Sequence, residues 1–245
     1  MKYFSYKQNH ISESGNILWF LLLTIALLGM LTFIVSRNSG TVNQSGRVEQ
    51  DRIRASSLLR YTKSIEIAVQ RMVLNEGISE SDLDFVAISA GHDNTNCNTT
   101  SCEVFNVQGG GVDYRSAADI LGDTGFANNW HISSGNRVGG MGCDDASANC
   151  KDLLLLLEDV PESICLQVNK ILNITNPSGA LPQQFEVDVG PAYTGSFSTN
   201  AANEYIGGAN ALNESPQVRR QQAGCIYEFG TAQNNVFYYH VLLPR

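Results

Sequence analysis

Six cysteines are the residues of this chain best suited to chemistry by type and spacing: Cys97, Cys102, Cys143, Cys150, Cys165 and Cys225. Thiols can form disulfides, ligate zinc or act as nucleophiles. "CNTTSC" and "CDDASANC" each read as a small loop closed on itself, which leaves Cys165 for Cys225. By loop-closure entropy the two short loops would contribute roughly 2 to 2.5 kcal/mol each and the long one about 4. Zinc is the rival reading. However, no second Cys or His pair follows "CNTTSC" at finger-like spacing, and His10, His92, His131 and His240 are scattered. The expectation is therefore Cys97–Cys102, Cys143–Cys150 and Cys165–Cys225, with free thiols the remaining alternative and no resident metal or cofactor. Disulfides belong to an oxidising compartment.

Other chemical candidates are weaker. "QGGGVDY" is Gly-rich, but no Lys-Ser/Thr follows it, so a tight turn or bulge is expected and not a phosphate loop. Asp144, Asp145 and Asn149 offer the oxygen ligands that calcium takes, without the spacing of a known calcium loop. His131 beside Trp130, and His240 near the end of the chain, have no identifiable Ser or Cys partner. With no nucleophile motif, paired-carboxylate signature or metal cluster, the chain does not read as an enzyme. Asn43, Asn98, Asn173 and Asn213 head sequons that matter only in a eukaryotic secretory setting.

The elements that must position these residues fall into an anchor, a stem and a head. Ile17 to Val35 is 19 residues without a charge, enough at 1.5 Å per residue to cover roughly 28 Å of hydrocarbon. The run is too long for the core of a removable signal peptide, and it ends in "FIVSRNSG" with no A-x-A site. A retained anchor is expected, with Trp19 near one interface. From Asn16 to Leu74 seven basic residues face three acidic ones, a net of +4; from Asn75 onward seven face twenty, a net of −13. An acidic head excludes nucleic acid as a partner, because phosphate binding needs clustered Lys/Arg. The stem's positive charge suits lipid headgroups, an acidic neighbour or simply a solvated helix face. The Lys/Arg count alone favours the opposite orientation, but long domains translocate largely regardless of charge. The cysteines then place the head outside and residues 1–15 in the cytoplasm.

Beyond Gly40 and Gly46 the pattern turns helical. Val48, Ala55, Thr62 and Val69 recur every seven residues, with Leu58, Ile65 and Met72 as the companion row. Arg52, Arg54, Arg60, Lys63, Glu66 and Arg71 lie mostly off this stripe, and Gly77 suits a left-handed cap. The stripe can pack on its own head or on a neighbouring copy, the first being the simpler reading. In the head, "SCEVFNV", "KDLLLLLEDV" and "QFEVDV" read as strands and "PESICLQVNKILNI" as a short helix begun by Pro161. "GCIYEFGTAQNNVFYYHVLL" reads as a hairpin. Residues 91–100, 128–149 and 191–217 read as surface loops. The expected class is α+β with a mainly antiparallel, disulfide-bearing head. Its segments are a leader (1–15), a transmembrane helix (16–37), a linker and amphipathic stem (38–77) and a head (78–245).

A short leader ending in Gly15, an uncharged helix starting at once, an amphipathic continuation and a disulfide-bearing β head together resemble type IV pilin-like proteins. "ESGNILWFLLLTIAL" with "CEVFNVQGGGVDY" is also similar to uncharacterised bacterial single-pass proteins. The first resemblance implies processing between Gly15 and Asn16 by a prepilin peptidase, anchorage in a bacterial inner membrane, and a head that is periplasmic or extracellular. The implied partners are the lipid bilayer, that peptidase and other pilin-like subunits. The implied role is assembly of a type IV pilus or type II secretion-like filament. Major pilins carry an apolar first residue and a Glu at the fifth position of the mature helix, where this chain has Asn16 and Phe20. That Glu is thought to pair with a neighbour's terminal amine in a low dielectric, so its absence points to a minor subunit. An uncleaved single-pass protein with a ligand- or partner-binding head is the alternative.

Overall fold

The computed structural model describes residues 16–122, 130–143, 150–185, 187, 189–190, 192–197, 205–208, 215–229 and 235–245. Two units divide the chain, Met1–Glu49 and Gln50–Arg245. Helix α1, Asn16–Leu74, contributes to each. Its hydrogen-bonded turns include residues 38–47, where the sequence suggested a linker.

In the first unit, Ile17–Ile34 is long and apolar enough to cross a membrane, and its side chains are exposed throughout. The two threonines in this run do not interrupt it, because each turns its hydroxyl onto the helix itself. Thr24 donates to the carbonyls of Phe20 or Leu21, and Thr32 to those of Leu28 or Gly29, at 2.9 to 3.1 Å. A hydroxyl satisfied in this way can enter an apolar medium at low cost.

In the second unit the remainder of α1 lies on a mixed sheet. Ala55, Leu58, Ile65, Val69 and Met72 are all buried, so the heptad stripe packs on its own domain, while Val48 is exposed. Each buried Leu, Ile or Met here stabilises the contact by roughly 1.5 to 3 kcal/mol. The helix stops at a turn in which the Ile78 N–H reaches back to the Met72 carbonyl at 3.0 Å. Gly77 supplies the required positive φ of 72°.

Five strands form the sheet in the order β1-β3-β7-β6-β4. They are β1 (Trp130–Ser133), β3 (Leu153–Leu157), β7 (Val236–Leu243), β6 (Ala223–Phe229) and β4 (Gln183–Phe185). The first three pairings are antiparallel, and β6 with β4 is parallel. A separate parallel pair joins β2 (Arg137–Val138) to β5 (Tyr205–Ile206). Both faces of the central strands are covered, which is why the five leucines of β3 are all buried and show no alternation. One face carries Leu155, Ala223, Tyr238 and Leu242 against α1 and against α3, Glu162–Ile171. The other carries Leu154, Leu156, Ile226, Phe237, Tyr239 and Val241 against Val138, Ile206 and Val218. The architecture is α+β.

Several expected elements differ. "SCEVFNV" is not a strand: after a 3-10 turn at Thr100–Cys102, only Glu103 bridges, to Asp84. The "QGGG" segment folds back on it, and a Cβ at Gly110 would lie 2.1 Å from the Val104 carbonyl oxygen. Close backbone packing therefore replaces strand pairing, and the three glycines make a tight turn. Within 128–149 and 191–217, read as surface loops, strands β1, β2 and β5 form, and Trp130, Ile132, Tyr193 and Ser215 are buried. His92 and Asn94, in the expected loop 91–100, are buried as well. A short helix, α2 (Ala117–Leu121), is closed by a capping box between Ser116 and Asp119. Among the described residues the alternating "QFEVDV" contributes only Gln184 and Phe185 to a strand, β4.

Candidate functional site

Gly15 lies outside the described residues, and Asn16 heads α1. The cysteines join as Cys97–Cys102, Cys143–Cys150 and Cys165–Cys225, the same three pairs that spacing suggested. Residues 144–149, with Asp144, Asp145 and Asn149, lie outside the described set. Cys165–Cys225 fastens α3 to β6 beside a buried amide. Asn169 donates to the carbonyls of Cys225 and of the Asn176 side chain at 3.0 and 2.8 Å, and accepts from the Cys225 N–H at 2.8 Å. Next to this fastening an open groove of about 370 Å³ is lined by Leu166, Gln167, Lys170, Asn173, Ile174, Thr175 and Asn176.

The densest buried chemistry lies between α1 and β7. Alternation along β7 turns Tyr238 and His240 to the α1 face, and a one-turn spacing along α1 sets Thr62 and Glu66 opposite them. His240 Nε2 meets Glu66 Oε2 at 2.7 Å. The other carboxylate oxygen accepts from Lys63 at 2.7 Å and from Gln70 at 3.0 Å. His240 Nδ1 is 3.1 Å from both the Thr62 and the Tyr238 hydroxyls, which are 2.6 Å from each other. Burial alone would raise the Glu66 carboxyl, but hydrogen bonds from His240 and Lys63 and their charges more than offset this and hold it below the usual range. Burial pushes the Tyr238 phenol well up.

Hydroxyl, imidazole and carboxylate in series is the order found in hydrolytic triads. Here Thr62, Glu66, Tyr238 and His240 are all buried, so no substrate carbonyl could reach the hydroxyl. The arrangement can hold and shift protons. Sequence reasoning named His240 but placed Glu66 off the buried stripe. The available signal was position: Glu66 follows Thr62 by four residues and Ile65 by one, inside the apolar arc.

A second buried carboxylate, Asp152, stands just before β3. It accepts from the Val138 N–H at 2.7 Å and the Arg245 N–H at 2.9 Å. Burial pushes it up to about 6 against the lowering effect of those bonds and of Arg137 and Arg245. The Arg245 carbonyl accepts from the Cys143 N–H, and its guanidinium lies 3.9 Å from the Phe197 ring centroid and 3.2 Å from Glu80. His131 stacks edge-on with His92, whose Nε2 accepts from the Ile132 N–H at 3.1 Å. Burial, helped by the His131 charge, lowers His92 to about 4. Among the described residues no group of three or more His, Cys, Asp or Glu is placed to hold a metal ion.

Comparison with protein-family models, with curated proteins and with solved structures finds no match for this chain.

Proposed function

We propose that the protein is a pilin-like subunit of the minor type, anchored in a bacterial inner membrane with a cytoplasmic N-terminus and a periplasmic or extracellular head. It takes part in assembly of a type IV pilus or type II secretion-like filament, or presents its head for surface interaction. Its partners are the lipid bilayer, other pilin-like subunits and a prepilin peptidase. The observation that carries this reading is that α1 contains both an exposed apolar run, Ile17–Ile34, and a buried stripe, Ala55 to Met72, in the core of a disulfide-bearing domain. The apolar run suits a membrane anchor and the disulfides suit an oxidising compartment. Intact-mass analysis of protein from cells with an active prepilin peptidase tests it. The expected mature chain begins at Asn16; a retained leader overturns the reading.

A retained leader would favour an uncleaved single-pass protein whose head binds a ligand or partner. The groove beside Cys165–Cys225, whose lining mixes amides, Lys170 and two aliphatic side chains, favours that second reading.

A further inference from the structure

The buried cluster between α1 and β7 has an uneven capacity for protons. His240 can carry one proton or two without losing a bond. With Nδ1 bare, it accepts from Thr62, which in turn accepts from Tyr238. With Nδ1 protonated, it donates to the Tyr238 oxygen, and Thr62 turns its hydrogen to the Leu58 or Leu59 carbonyl, 3.1 and 3.3 Å away. Hydroxyl rotors make this exchange possible.

Glu66 has less freedom. Lys63 and Gln70 both donate to Oε1, and His240 Nε2 meets Oε2. A proton on Oε1 has to displace Lys63 or Gln70, and a proton on either oxygen removes the buried anion to which Lys63 donates. A buried charge left without its partner is strongly destabilising. The ionisable groups facing Glu66 are Lys63 on α1 and Tyr238 and His240 on β7. The residues paired with His240 on the flanking strands, Leu155 of β3 and Ala223 of β6, are not ionisable.

We propose that the Thr62–Glu66–Tyr238–His240 cluster is an acid-sensitive fastening that holds the stem helix to the sheet at neutral pH and loosens it locally when Glu66 takes up a proton. The apolar stripe keeps the helix in place over most of its length. The fastening governs the turns around Glu66, so its effect is a local opening. The depressed carboxyl of Glu66 sets this opening in the acid range, below the ordinary Glu value. Anchoring and filament assembly are not required for it.

Hydrogen exchange by mass spectrometry on the full chain in detergent micelles, corrected for intrinsic exchange at each pH, tests the proposal. Peptides covering 58–74 should lose protection severalfold, up to about tenfold, between pH 7 and pH 3.5, while peptides covering 223–229 change less. Unchanged protection in 58–74, or an equal loss in both regions, overturns it. The variant Thr62→Val/Glu66→Leu/Tyr238→Phe/His240→Leu replaces the whole cluster by apolar side chains and should show no preferential loss in 58–74. Glu66→Gln, which keeps the shape, should be less protected than the natural chain at pH 7 and flat toward acid. Either variant retaining the natural pH dependence refutes the role of the carboxylate.

Discussion

Glu66 and Asp152 are both carboxylates within the same domain and both nearly inaccessible, at 3% and 1% relative exposure. They are driven in opposite directions. Glu66 is held down, and Asp152 is raised to about 6. Burial raises each, so burial does not decide the sign. The partners do. Glu66 has a lysine and an imidazole within 2.7 Å, whereas Asp152 has two backbone N–H groups in hydrogen-bond contact. Two backbone N–H groups lower a buried carboxyl less than a lysine ammonium and two further side-chain donors in contact.

The largest effect should come from cutting one side of the Glu66 site. His240→Leu leaves Glu66 buried with Lys63 and Gln70 on one oxygen and nothing on the other. A loss of about 3 to 5 kcal/mol is expected for stripping one member of a buried pair, read from denaturant unfolding at pH 7. A loss below about 1 kcal/mol would place the pair among solvated ones.

The next effect separates the two carboxylates by pH. Asp152 binds a proton more tightly folded than unfolded, so between about pH 4 and 6 folding takes up a proton, and its contribution falls as pH rises through that window. Raising a carboxyl from 3.8 to about 6 is a hundredfold gain in proton affinity, or about 3 kcal/mol as an order of magnitude. Glu66 has the opposite sign: its contribution is present above the unfolded value of 4.5 and is lost as pH falls through the lower folded value. Thermal unfolding of Asp152→Asn from pH 4 to 7 should therefore show a flatter loss toward neutral pH than the natural chain. An unchanged slope would mean that Asp152 titrates alike in both states. The smallest effect is at Lys63, whose side chain is 54% exposed. Lys63→Met should cost no more than about 1 kcal/mol, because solvent screens its half of the bond. Urea midpoints on the purified variant would show it.

Much of the fold is legible in the sequence where one physical rule dominates. The stripe from Ala55 to Met72, the Leu153–Leu157 strand, the helix after Pro161 and the final hairpin follow from periodicity and turn chemistry. "SCEVFNV" fails because its alternation also suits a turn that buries Val104 beneath Gly109 and Gly110. Strand β1 is hidden because "WHIS" is short and set among Gly, Asn and Ser. The proton-holding cluster was half legible. His240 stands out by type, but a charged residue on a helix reads as solvated unless its partner is known, and His240 lies 174 residues from Glu66. The apolar length of α1 is legible directly, as an uncharged run long enough to cross a membrane.

The sheet's long strands, β6 and β7, lie inside it, while among the described residues its margins are β1 with four residues and β4 with three. A neighbouring sheet seeking to extend its hydrogen-bond ladder finds very little backbone to grip at either margin. Any contact made at these margins would fall to side chains, whose chemistry can be specific in a way that backbone pairing is not.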